Sequence, residues 1–500
     1  MDDVLLINPP SAFSTYKGTK VDVYVQLYPV LSLACLAATL RKGGSSVSIL
    51  DLGIEQYPYQ ALETKLSQSK PRIIGITCTT PLYPEVVQLS QFVRQRVGDG
   101  TVLVVGGPHP SALPAESLLE SAFDIVVTGE GDETIAEIAE GKKLPDIKGI
   151  YYKDGENVSS TTPRERIKDL DALPFPALDL FDEKRYRCSR LVSRKTPMSD
   201  LMTSRGCVFN CSFCGKKVFG RRFISKSPER VIEEIKYTLG LGFKEIRVVD
   251  DMFTTNMDRA KTICEMILRE GLRFPWNLAA GLRVECIDEE FLRLAKRAGL
   301  YQVSIGFESG DQACLDSIGK GITLEQSMRA MGMVKRVGLE SVGFFMLGLP
   351  AETEESMKKT IDFAVKLMPD FAKVTILMPL PDARQFWEWE RQGLIKSRDW
   401  RQYKLHGGGP IYQHPTLARE EMEKYYDLFY RRFYLNPKYL FRRAGIAISR
   451  GTFFLEMYYG AKTFLPDVFR RHPKPLPPSA RGYIPGQRTD KVSSSVADPE

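Results

Sequence analysis

Histidine is scarce in this chain. There are four in 500 residues (His109, His406, His414 and His472), none placed beside another. That leaves little for a histidine-built metal or acid–base centre. No run approaches the ~18 apolar residues a membrane-spanning helix needs. The opening "MDDVLLINPP" is acidic and quickly reaches a proline pair, which argues against a signal peptide. The net charge of +7 is mild for this length and gives no reason to expect nucleic acid. Nine cysteines is an odd number, and outside one short loop they are scattered, which argues against a secreted disulfide framework. A reducing cytoplasm is the expected compartment.

What is present is two successive alternations of strand and helix. At 500 residues, two or three domains are expected. Residues 1–140 run through apolar strands such as "DVLLINPP", "SVSILDLG", "RIIGITCTT", "VLVVGGPHP" and "DIVVTGEGDE", separated by helical stretches. This pattern predicts an α/β, Rossmann-like domain with an open, parallel, doubly wound sheet. Ligands of such sheets bind at the carboxyl ends of the strands. The loops there, "TCTTPLYP" (77–84), "GGPHPSALP" (106–114) and "TGEGDET" (128–134), mix Gly, Pro and small hydroxyl residues. Residues 141–195 read as a linker with a hairpin, "IKGIYYKDGENVSS", and a Pro-rich tether.

A second alternation over 196–390 supplies six strands: "SDLMTSRG", "EIRVVDDMF", "WNLAAGLRV", "YQVSIGFESG", "SVGFFMLGLP" and "FAKVTILMPLP". Six βα units predict a partial (β/α)6 barrel working at the carboxyl ends of its strands. Residues 391–470 read as a mainly helical C-terminal domain and 471–500 as a disordered tail.

The loop after the first barrel strand, "SRGCVFNCSFCGK", gathers Cys207, Cys211 and Cys214. Structural zinc wants four ligands, usually in two pairs. A redox Cys-x-x-Cys pair would not need Cys207. An iron–sulfur cube held by three thiolates keeps one iron free for a small chelating molecule. Zinc, or three incidental cysteines, are the competing readings.

With that spacing, and Phe213 ahead of the last cysteine, the chain resembles the radical S-adenosylmethionine (radical SAM) superfamily. The resemblance implies a [4Fe-4S] cluster on Cys207, Cys211 and Cys214, with S-adenosylmethionine chelating the open iron and yielding a 5′-deoxyadenosyl radical. It further implies S-adenosylmethionine contacts from Asp250 and Asp251 in "VVDD", Arg283 in "GLRVE", Glu308 and Ser309 in "GFESG", and Gly348 in the "GLP" turn. For Asp251 and Glu308 the competing reading is a helix cap.

The front loops narrow the likeness to the cobalamin-binding, class B methylase-like group of that superfamily, over about residues 3–390. Cobalamin contacts are then implied for Thr79, Pro81, Gly107, His109, Ser111, Gly129 and Glu130. The Asp-x-His-x-x-Gly motif that brings an axial histidine to cobalt is absent, so cobalamin is expected base-off, with His109 shaping its loop or touching the ligand. A front domain that has lost cobalamin is the alternative.

The resemblance implies methyl transfer to an unactivated carbon, through the 5′-deoxyadenosyl radical and methylcobalamin. Ring formation or oxygen insertion on a porphyrin or lipid is the alternative outcome. The basic, aromatic tail "RRFYLNPKYLFRR" (431–443) is similar to that of members acting on hopanoids, other isoprenoid lipids and porphyrin esters. It suggests peripheral membrane contact, against the reading that its aromatics pack on the barrel while its arginines stay solvated. Substrate-pocket candidates are Tyr403, His406, Tyr412 and His414 in "YKLHGGGPIYQHP" (403–415), with a bare structural loop as the competing reading. The group implies an external flavodoxin- or ferredoxin-type electron donor. A methylthiotransferase-like RNA-modifying enzyme is disfavoured because Cys35 and Cys78 form no second triad and the tail reads helical. A non-enzymatic cobalamin carrier is disfavoured by the full barrel.

Overall fold

The computed structural model describes residues 3–11, 27–155, 157–186, 188–403 and 409–464, with residues 462–464 described by backbone alone. His406 and the tail beyond 464 lie outside the described residues.

The front sheet has seven strands: β1 (Val4–Asn8), β2 (Val47–Asp51), β3 (Ile73–Thr77), β4 (Val102–Gly106), β5 (Ile125–Val127), β6 (Ile150–Asp154) and β7 (Asn157–Ser160), in the order β2-β1-β3-β4-β5-β6-β7. The first five are parallel. Helices cover both faces, so β1 is buried along its whole length and apolar up to its last residue, Asn8. The order reverses between β1 and β3, and the crevice at such a switch point is where doubly wound sheets take ligands. The hairpin expected in the linker joins this sheet instead: β6 pairs antiparallel with β5, and β7 forms the polar edge. A two-stranded hairpin is marginal alone, and pairing with β5 satisfies one of its edges.

The second unit is a six-stranded parallel sheet whose strands lie side by side in chain order, an open βα barrel of sequential units. Its strands are β8 (Met198–Leu201), β11 (Glu245–Val248), β12 (Trp276–Leu282), β13 (Leu300–Glu308), β14 (Glu340–Leu347) and β15 (Phe371–Ile376). The expected first strand is split. After β8, the short β9 (Ser204–Arg205) pairs antiparallel with β10 (Ile224–Ser225), and the cysteine loop lies between them. Local signals set the helix ends. Ser227 accepts from the Arg230 N–H at the start of Pro228–Gly240. Thr323 and Gln326 form a capping box ahead of Leu324–Val337.

An open barrel leaves β15 with an unpaired edge, and the C-terminal region covers it. Along the helix Arg419–Tyr434, the Tyr434 hydroxyl meets both the N–H and C=O of Ala372, at 3.0 and 2.9 Å. The Tyr430 hydroxyl does the same for Val374 at 3.4 and 3.3 Å. Tyr425, Phe429, Tyr430, Phe433 and Tyr439 are buried. The helix descends from the Gly348 turn, at the carboxyl end of β14, to Asp370 just before β15, where the Tyr439 hydroxyl donates to the Asp370 carbonyl. The following helices, Pro437–Arg450 and Phe453–Phe464, therefore sit at the barrel's amino-terminal end.

Candidate functional site

The cysteine loop is held from four sides. The Cys207 N–H donates to the Gly220 carbonyl, the Ser212 N–H to Ile318, the Gln385 N–H to Ser212 and the Lys216 N–H to Asp382. Gly206 has a positive φ of 82°, and a side chain there would collide with the Arg222 carbonyl. A side chain on Gly215 would strike the Asp382 carboxylate. These contacts keep Cys207, Cys211 and Cys214 half-buried at the working face. Burial pushes the Cys214 thiol above its ordinary range. The Lys216 ammonium is raised although burial opposes it, because Cys214 and Cys207 lie close. Among the described residues no three His, Cys, Asp or Glu side chains converge on a single metal ion. A cluster asks for something wider, since each thiol meets its own iron. Three thiols on one clamped loop, with cations beside them, fit that demand.

Around this loop the strand-end residues divide by what they already hold. Asp250 is buried, accepts from the Thr203 N–H (2.5 Å), the Thr203 hydroxyl (2.5 Å) and the Ser204 hydroxyl (2.6 Å), and is pushed up by burial. It pins the chain between β8 and β9. Asp251 is exposed and accepts from the Gly206 N–H at 3.0 Å. Arg283 lies over the Phe209 ring at 3.7 Å and donates to the Cys211 sulfur at 3.4 Å. Glu308, at a positive φ of 62°, pairs with Lys320 at 2.7 Å. Ser309 is fully buried and hydrogen-bonds Thr360 at 3.0 Å.

The Gly348 turn is clamped by the C-terminal strap. A Cβ at Gly348 would lie 2.8 Å from the Met422 sulfur and 3.0 Å from the Tyr412 hydroxyl. His414 Nδ1 accepts from the N–H groups of Thr416 and Leu417, so its Nε2–H donates to the Leu349 carbonyl at 2.8 Å. Tyr403 donates to the Ser397 carbonyl at 2.8 Å. Tyr403, Tyr412 and His414 are all buried. Glu352 accepts from the Leu349 N–H at 3.0 Å. Among the described residues its other oxygen has no hydrogen-bond partner, and burial pushes the carboxyl up to about 8.

In the front domain, a cavity of about 830 Å³, counted out to its open mouth, lies at the carboxyl ends of the strands. Gly75, Gly106, Gly107, Gly129 and Gly131 line its floor beside Leu33, Leu36 and Val127. Gly107 has φ 116°, and a Cβ there would lie 2.5 Å from the Cys78 carbonyl. The Ser111 hydroxyl accepts from the Gly129 N–H at 3.0 Å, tying two loops together. Thr79 is exposed, and Pro81 lies in the short turn Thr80–Leu82. A large, mostly apolar cavity floored by glycine backbone fits a bulky ring. His109 does not line it. The imidazole is fully buried, stacked on Tyr83 at 4.0 Å and edge-on to Trp400 at 5.0 Å, and burial pulls it down to about 3.

The far wall of the cavity comes from the barrel: Met202, Arg205, Val218 and Phe219, residues that bracket the cysteine loop. Arg205 is buried and pairs with Glu130 at 2.7 Å and Asp132 at 3.0 Å. The second Glu130 oxygen accepts from the Ile167 N–H at 3.0 Å. Sequence reasoning missed Arg205, Phe209, Glu285, Lys320 and Asp382. Nothing local marks them; Arg205, Phe209, Lys320 and Asp382 matter through partners distant in the chain, and Glu285 through Arg283, two positions before it.

The family model described as radical SAM superfamily matches residues 201–364, and the B12 binding domain matches residues 20–139. An uncharacterized methyltransferase of Pyrococcus horikoshii is 34% identical over 473 residues, covering 92% of this chain and 99% of that protein. The anaerobic magnesium-protoporphyrin IX monomethyl ester cyclase of Cereibacter sphaeroides is 27% identical over 423 residues, covering 82% of this chain and 67% of that one. The fold is that of the radical S-adenosylmethionine methyltransferase TsrM from Kitasatospora setae, solved with tryptophan and a SAM analogue: TM-score 0.68 at 19% identity, covering 86% of this chain and 89% of that one. The chain is therefore an enzyme of the radical SAM superfamily, in the branch that joins the radical-forming barrel to a B12-binding domain.

Proposed function

We propose that the enzyme is a cobalamin-dependent radical C-methylase acting on an unactivated carbon of a lipid or isoprenoid, a tetrapyrrole or another small natural product. The observation that carries this is the shared wall: residues bracketing the cysteine loop close the front-domain cavity. On this reading Cys207, Cys211 and Cys214 hold a [4Fe-4S] cluster, and Asp251 is the strand-end carboxylate left open for S-adenosylmethionine. Gly107, Ser111 and Gly129 shape the cobalamin loops. When bound, the cluster supplies the electron that cleaves S-adenosylmethionine, and cobalamin supplies the methyl group. His109 is engaged by Tyr83 and Trp400 away from the cavity, which supports cobalamin held base-off without a protein histidine. An external flavodoxin- or ferredoxin-type donor supplies the electron.

The tail supports peripheral contact with an anionic membrane. Leu435, Leu440, Phe441, Ile448, Phe454, Met457 and Tyr458 are exposed, as are Arg431 and Lys438. Exposed apolar residues beside cations suit such a surface. Arg442, Arg443 and Arg450 are instead occupied with Asp370, Glu456 and Glu340. This face lies at the amino ends of the barrel strands, so contact there holds the molecule with its reactive mouth turned away from the lipid. Among the described residues no helix is long and apolar enough to cross a membrane.

The test is anaerobic purification with iron and cobalt quantification, followed by incubation with methyl-deuterated S-adenosylmethionine and lipid or porphyrin extract. Four irons, one cobalt and a deuterated product are expected. Absence of cobalt removes the cobalamin assignment. 5′-Deoxyadenosine without label in any product favours ring formation, the chemistry named for the Cereibacter relative.

A further inference from the structure

Arg283 ends β12 and reaches across the working face with its side chain only 5% exposed. Four groups receive it. Glu285 lies 2.6 Å from its Nε, the Lys320 carbonyl accepts from Nη2, Phe209 stacks on its face at 3.7 Å, and Nη1 donates to the Cys211 sulfur at 3.4 Å. A guanidinium clamps a carboxylate through two parallel N–H groups on one edge. Here the Nε/Nη2 edge faces Glu285, and the remaining edge is divided between Lys320 and Cys211. No complete edge remains for the carboxylate of a bound amino acid. What the geometry provides is a permanently charged donor fixed on one sulfur of the cysteine triad.

We propose that Arg283 serves the cluster, as a hydrogen-bond donor to the Cys211 thiolate that eases its reduction, in place of clamping the S-adenosylmethionine carboxylate. The proposal rests on the reading that the triad holds a [4Fe-4S] cluster. Reduction adds one electron to a cluster already carrying net negative charge from its thiolates. A donor on a ligand sulfur stabilises that added charge, so the reduction potential rises. Glu285 and Phe209 keep the guanidinium from rotating away. The Lys320 carbonyl connects the same group to the strand beyond, since Lys320 pairs with Glu308. Arg283 is thus a positioning residue acting through Cys211.

The experiment compares wild-type enzyme with Arg283→Gln and Arg283→Lys, each reconstituted anaerobically, counted for iron and titrated by EPR for the reduced cluster. Binding of S-adenosylmethionine is measured in parallel by calorimetry. Both variants are expected to keep four irons and to bind S-adenosylmethionine within about threefold of wild type. In Arg283→Gln the reduction equilibrium is expected to move about tenfold toward the oxidised form, a drop of ~59 mV for a one-electron couple. The lysine variant, which keeps the charge but loses the planar fork, is expected to recover only part of that drop. Unchanged potentials in iron-replete variants overturn the proposal, as does a tenfold loss of S-adenosylmethionine binding with the potential unmoved. Failure of both variants to hold four irons also overturns it, making Arg283 an assembly residue. Wild-type protein without iron defeats the cluster reading itself, a result distinct from these.

Discussion

The Arg205 guanidinium, two positions ahead of Cys207, lies 2.7 Å from the Glu130 carboxylate across the join between front domain and barrel. Both side chains are almost wholly buried, with Asp132 completing the cluster at 3.0 Å. Removing one partner of such a group strands the remaining charges in a poorly solvated site. Arg205→Met is therefore expected to cost about 3–5 kcal/mol in urea denaturation, with cobalt and iron content falling together. A cost below about 1 kcal/mol would mean the carboxylates find other partners.

The triad and the front cavity are expected to separate cleanly. Cys207→Ala, Cys211→Ala and Cys214→Ala should each abolish 5′-deoxyadenosine formation and remove most of the iron. Cobalamin content should stay near that of wild type. Parallel loss of cobalamin in all three variants would place its binding on the cysteine loop as well.

Cobalt ligation has a spectroscopic signature. If no histidine reaches the metal, the EPR spectrum of the bound cob(II)alamin shows no nitrogen hyperfine splitting, and His109→Phe leaves it unchanged. Nitrogen splitting that disappears in the variant would reverse the base-off assignment.

Glu352 gives a pH dependence with a defined sign. Burial raises its carboxyl to about 8, far above the ordinary value of 4.5. The folded state thus holds a proton that the unfolded chain releases. Its contribution is fully present below about pH 4.5 and is lost as pH rises through about 8. Glu352→Gln cannot ionise but can still accept from the Leu349 N–H. Its melting temperature relative to wild type should therefore climb across that window. A flat difference would show that the free carboxylate oxygen finds solvent.

The membrane face is tested with vesicles. Wild-type protein should sediment with phosphatidylglycerol vesicles and release at high salt. Phe441 and Phe454 are 87% and 85% exposed. Replacing both with Ser should weaken binding at least tenfold without changing 5′-deoxyadenosine formation. No sedimentation of the wild type would remove the membrane reading.

The parts of this molecule legible in the sequence are the local ones. The strands of the front sheet and barrel announce themselves as apolar runs because both faces are covered, and the cysteine loop is defined by spacing within the eight residues from Cys207 to Cys214. Residues whose meaning lies in distant partners were not legible. Arg205 and Glu130 are 75 positions apart, and their pairing exists only once the loops meet. Arg283 was read by its place at a strand end, while its environment depends on Phe209 and Lys320. The hairpin at 150–160 has the right turn chemistry, but nothing local says which sheet will take it. Tyr403, Tyr412 and His414 stand out in the sequence as polar aromatics in one loop. Tyr403 and His414 bond backbone carbonyls and Tyr412 meets the Met422 sulfur, partners that no local pattern announces.

The hydroxyls of Tyr430 and Tyr434 give the C-terminal helix a duty that constrains traffic. Along β15 they stand in for the neighbouring strand that a closed barrel would have supplied. Swinging that helix aside would uncover raw sheet edge, so it is a poor door. A chain cut before Arg419 would present an adhesive flank to its neighbours and clump before it could be assayed.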